Sequence, residues 1–121
     1  MPSPVVHFEI GSPDSAALSE FYASVFNWSF LDAGAVRPVF GGHEGGPSGM
    51  LNTLGHAPHT YVMIYIEVAD MDEALGRVRE AGGSVTVGPA PLPDNRAFAW
   101  ITDPAGNTLG LLTPLPRPAN G

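Results

Sequence analysis

Two apolar runs carry the residues best suited to chemistry. VVHFEI (5–10) sets His7 and Glu9 two positions apart, and MIYIEV (63–68) sets Tyr65 and Glu67 two apart. Side chains alternate along a strand, so each pair shares a face, with Met63 on the same face as Tyr65 and Glu67. One imidazole and two carboxylates brought together would suit a divalent cation (Ni, Zn, Mn or Fe), and His7 or Glu67 would serve as a general base. Hydrogen-bonded to one another with Tyr65 among them, the same groups would instead form a polar cluster lining a pocket. The polar cluster is the expectation, because the second run replaces His7 by Tyr65 and so does not preserve a ligand set.

The rest of the composition removes whole classes of reaction. There is no Lys and no Cys among the 121 residues, which excludes Schiff bases, thiolate nucleophiles, disulfides and Cys-bound zinc. All five basic residues are Arg and the net charge is −7, which argues against nucleic acid and anionic membrane surfaces as partners. The longest apolar run, YVMIYI, is far short of a membrane span, so a cytoplasmic protein is expected. His43, His56 and His59 lie in Gly/Pro-rich stretches and read as loop residues, and GGHEGGPSG (41–49) reads as a flap. Trp28 and Trp100 could be core or pocket wall, Trp100 being the better pocket candidate.

The elements that must position these residues come in two sets. After the first run, GSPDSAALSEFYASVFNW places Ser12 as a helix cap and Leu18, Phe21, Tyr22, Val25 and Phe26 on one helical stripe, with Asn27 at the end. Trp28–Leu31, Val36–Phe40 and Gly49–Thr53 read as short strands. After the second run, Asp70 with Glu73 forms a capping pattern, Met71, Ala74, Leu75 and Val78 make a stripe, and Gly82-Gly83 stops it. Strands are then expected at Ser84–Val87, Ala97–Thr102 and Thr108–Leu112, the last two joined by the turn DPAGN. Superposing Glu9 on Glu67, an offset of 58, also pairs Ile10 with Val68, Asp14 with Asp72 and Ala16 with Ala74. The expected fold is α+β: one domain over 1–121 of two tandem β-α-β-β-β modules, about 4–54 and 60–114, forming a cupped eight-stranded mixed sheet with the helices on its outer face.

HFEI followed by FYASVFNW, and YIEVADMDEALGRVREAGG followed by FAWITDPAGNTLGLLTP, resemble the vicinal oxygen chelate superfamily of glyoxalase I, bleomycin-resistance proteins and extradiol dioxygenases, within it the small glyoxalase-like ("hydroxylase-like") group. The resemblance runs from Val5 to Pro114. It implies metal ligands on the first strand of each module and on the last strand, at positions His7, Met63 and Gly110 of this chain. One ligand of three is then retained, and the standard metal site is expected to be lost. Two functions follow. The chain is expected to bind a small aromatic or oxygenated molecule through His7, Glu9, Met63, Tyr65, Glu67 and Trp100, without a cofactor. The alternative is a metal-dependent lyase, isomerase or dioxygenase using a rearranged His7/Glu9/Glu67 site. Short two-module members of the family commonly pair, so a homodimer is expected.

Overall fold

The computed structural model describes residues 2–31, 34–40 and 46–116. His43 and Arg117 lie outside them, as does most of the stretch read as a flap. The chain forms an eight-stranded mixed sheet with two helices, in the strand order β2-β3-β4-β1-β5-β8-β7-β6. In sequence the elements are β1 (Val5–Gly11), α1 (Ser15–Phe26), β2 (Ser29–Phe30), β3 (Val36–Phe40), β4 (Ser48–Asn52), β5 (Tyr61–Glu67), α2 (Met71–Glu80), β6 (Ser84–Pro91), β7 (Ala97–Thr102) and β8 (Thr108–Leu112). Two compact units can be distinguished, one of Val6–Ile64 and the other of the described part of Met1–Val5 and Tyr65–Gly121. The boundary falls within β5.

In the unit Val6–Ile64, β1 pairs parallel with β4, β4 antiparallel with β3, and β3 antiparallel with β2. The helix α1 begins two residues later than the sequence suggests. Asp14, not Ser12, is the N-cap, its carboxylate accepting from the Ala17 amide at 3.1 Å, while Ser12 Oγ accepts from the Asp14 amide at 3.0 Å. A serine hydroxyl and an aspartate compete for the same orphan amides, and the carboxylate is the stronger acceptor. Asn27 ends the helix in the left-handed region, at φ 59°, as expected of an Asn.

The expected apolar stripe of α1 does not cover the sheet. The buried residues of α1 are Ser15 and Ser19; Leu18 and Tyr22 are half-buried, and Phe21, Val25 and Phe26 are more than half exposed. Hydrogen bonding at the helix start explains the rotation. The Ser15 amide donates to Thr53 Oγ1 at 3.0 Å and the two hydroxyls lie 2.6 Å apart, which fixes the Ser15 side of the helix against the end of β4. Ser19 Oγ is satisfied by the Ala16 carbonyl at 2.7 Å. Trp28 is a packing residue, stacked on Tyr22 (centroids 5.1 Å, 14°) and tilted against Phe8 (5.7 Å).

In the other unit the sequence pattern holds. Asp70 caps α2 by accepting from the Glu73 amide at 3.0 Å. Met71 and Leu75 pack with Ala99, Ile101 and Leu111 into the buried core, flanked by Ala74 and Val78. β5 runs parallel to β8, and β7 is antiparallel to both β8 and β6. The strand β6 extends four residues beyond the expected end, with register irregularities between Val85 and Ala90 that accommodate its Gly and Pro.

Candidate functional site

Within Val6–Ile64, the register of β1 on β4 (Glu9 opposite Met50, Gly11 opposite Asn52) puts His7, Glu9, Gly11 and Asn52 on one sheet face. Glu9 is 1% exposed. A carboxylate so buried needs donors close by. Tyr61 supplies one, its hydroxyl donating to Glu9 Oε2, and Asn52 Nδ2 donates to the same oxygen at 3.2 Å. The Tyr61 ring lies over Gly11, whose position has no room for a Cβ. Burial, and then the hydrogen bond and negative charge of Glu9, push the Tyr61 phenol far above its usual range, against a smaller opposing effect of Asn52. On the same face, His7 Nδ1 lies 2.5 Å from Ser48 Oγ, which donates to the Val6 carbonyl at 3.3 Å. Met63, from the same alternation of β5 as Tyr61, is buried.

In the second unit, Tyr65 opposes Gly110 and Trp100 opposes Gly110, so these three share the sheet face opposite the one that packs α2. Tyr65 is buried, and Trp100 is half-buried with its indole Nε1 donating to the Tyr65 hydroxyl at 2.9 Å. A Cβ at Gly110 would overlap the Tyr65 ring. Glu67 is half-buried on the same strand face, its amide donating to the Pro4 carbonyl at 2.9 Å. Of the positions where the family resemblance puts ligands, one therefore holds an imidazole next to a serine, one a buried thioether, and one no side chain beneath an aromatic ring. Those residues do not fit the family's usual metal. Among the described residues, no three His, Asp or Glu side chains form a group that could hold a metal ion.

Tyr61 and Asn52 were absent from the sequence candidates. Tyr61 was within reach, since 61, 63, 65 and 67 alternate onto one face. Asn52 had no such signal, because it depends on the β1–β4 register. A shallow cleft of about 360 Å³ lies along Ile10, Gly11, Ser12, Leu18, Thr60, Tyr61 and Val62. His56 is exposed, with Nδ1 2.8 Å from the Ala57 carbonyl, and His59 is exposed too. No helix among the described residues is long and apolar enough to cross a membrane.

The model of the Glyoxalase/Bleomycin resistance protein/Dioxygenase superfamily matches residues 5–111. A Mycobacterium tuberculosis protein named "Putative glyoxylase CFP32" is 29% identical over 117 residues, 85% of this chain and 42% of its own length. The "Anthracycline biosynthesis protein DnrV" of Streptomyces peucetius is 27% identical over 123 residues, 82% of this chain and 42% of its own. The chain thus spans well under half the length of these curated relatives. Among solved structures, hypothetical protein BH1468 of Bacillus halodurans superposes with a TM-score of 0.70 at 16% identity, covering 99% of this chain and 100% of its own. A methylmalonyl-CoA epimerase variant of Streptomyces coelicolor, in complex with 2-nitronate-propionyl-CoA, superposes at 0.65 with 18% identity, covering 98% and 100%. These two likenesses concern the fold.

Proposed function

The chain belongs to the Glyoxalase/Bleomycin resistance protein/Dioxygenase superfamily, and from that premise we propose that it is a binding protein for a small aromatic or oxygenated metabolite that works without the divalent metal of its catalytic relatives. One observation carries this reading: the Tyr65 ring occupies the space at Gly110 where a ligating carboxylate would have to start. What the second unit offers in its place is an aromatic surface, the half-buried Trp100 indole held in orientation by its bond to the Tyr65 hydroxyl. An indole fixed in this way stacks on a flat ligand with little loss of its own freedom. A relative named for anthracycline biosynthesis is in keeping with an aromatic ligand. In the second unit, Tyr65, Glu67 and Trp100 are the proposed contacts.

We place the protein in the cytoplasm as a homodimer; the lack of Cys is in keeping with a reducing compartment. The test is tryptophan fluorescence of EDTA-treated protein titrated with aromatic compounds. Saturable quenching that survives EDTA, persists in Trp28→Phe and vanishes in Trp100→Phe supports the reading. Quenching that requires added metal, or that persists in Trp100→Phe, contradicts it.

A further inference from the structure

The second unit leaves one carboxylate uncommitted on its aromatic face. Across β5, β8 and β7, Tyr65, Gly110 and Trp100 form one row, and Glu67, Leu112 and Phe98 form the next. Side chains two apart on a strand share a face, so both rows lie on the side away from α2. Glu67 is half-buried there. Among the described residues, no hydrogen bond or ion pair holds its carboxylate, and no buried side-chain oxygen lacks a partner, so the Glu67 oxygens are open to solvent. The described arginines of this unit are placed elsewhere. Arg77 pairs with Glu73 at 2.9 Å, Arg96 pairs with Asp94 at 2.7 Å, and Arg79 is carried by α2.

We propose that the molecule bound at Trp100 is a cation, a flat aromatic ring carrying a protonated amine, with the ring on the indole and the ammonium on Glu67. The inference rests on the binding reading above and names the ligand class of the same site. Glu67 lies two strands and one row from Trp100, which sets their backbones about 12 Å apart at the usual strand spacing and rise. The two side chains, with one ring and a short amine-bearing arm between them, bridge that span. Between the two ends the floor is apolar, made by the buried Leu112 and the Tyr65 ring over Gly110. A carboxylate partly withdrawn from water and without a donor gains most from a charged one, because hydrogen bonds between ions are shorter and roughly twice as strong as neutral ones. An indole is also the ring that attracts a cation best, so Trp100 tolerates the charge beside it. The whole chain acts in the same direction: at net −7 it draws cations and repels anions. A fully solvated carboxylate would carry no such meaning. What marks Glu67 is that it is half-buried and shares a face with an indole fixed by the Tyr65 hydroxyl.

The experiment is isothermal titration calorimetry of EDTA-treated protein with three probes of one shape: naphthylmethylamine, naphthylmethanol and naphthoate. The amine is expected to bind at least about 10-fold tighter than the alcohol, and naphthoate more weakly than either. In Glu67→Gln, shown to be folded by circular dichroism, the amine and the alcohol are expected within about twofold of one another. Added salt should shrink the amine's lead in the wild type. Trp100→Phe should weaken both, which places them at the indole. A wild type that binds the alcohol as tightly as the amine, or an amine whose lead survives in Glu67→Gln, overturns the cationic ligand and leaves the binding reading standing. No saturable binding of any of the three probes overturns both.

Discussion

With 1% of its surface exposed, Glu9 depends on hydrogen-bond donors from the protein, and Tyr61 and Asn52 are two that supply them. Tyr61→Phe removes one of them and is expected to cost about 1–3 kcal/mol in urea unfolding, the usual penalty for leaving a buried polar group short of a partner. The same contact fixes a pH response. Because the Tyr61 phenol in the fold titrates above its unfolded value, the unfolded chain loses that proton first as pH rises. Its contribution is complete below the ordinary tyrosine pKa of about 10 and declines as pH climbs from there toward the folded value. Absorbance titration should therefore show one tyrosine ionising late, and Tyr61→Phe should remove that late step. In the second unit, Gly110→Ala drives a methyl into the Tyr65 ring and is expected to destabilise by about 1–3 kcal/mol. In a Tyr65→Ala background the penalty should disappear, because the two changes share one space.

For the elements, agreement between sequence and structure followed the strength of the local signal. The helix α2 has a capping carboxylate, a single apolar stripe and a polar remainder, and every one of these points to the orientation it adopts. Asp70→Ala should cost about 0.5–2 kcal/mol, as loss of a helix cap does, read as a lower midpoint in thermal unfolding. The helix α1 is apolar around much of its circumference, so its pattern does not say which flank faces the sheet; the Ser15–Thr53 hydroxyl contact decides it, and that contact joins residues 38 apart. The site shows the same division. The alternation of His7 with Glu9 and of Tyr65 with Glu67 was legible. The Asn52 donor to Glu9 and the indole on Tyr65 were not, because each depends on which strand lies beside which.

On the scale of the whole molecule, the repeated β-α-β-β-β order and the family match agree on the architecture, and that family includes both catalysts and binders. What separates the two here is the metal. On the reading proposed above, the Tyr65 ring over Gly110 and the buried thioether of Met63 leave His7 as the one ligand of the set that the family resemblance implies, too few to hold a divalent ion against water. Turnover of the hemithioacetal of methylglyoxal and glutathione is accordingly expected to be absent when assayed with added Ni, Zn or Mn. The most direct measurement is the metal content of protein purified without chelator or metal-affinity tag. Metal well below one ion per subunit, unchanged in His7→Ala, is the predicted result. Ni, Zn, Mn or Fe near one per subunit, released by His7→Ala or Glu67→Gln, would contradict the account and identify the chain as a metalloprotein with a rearranged site.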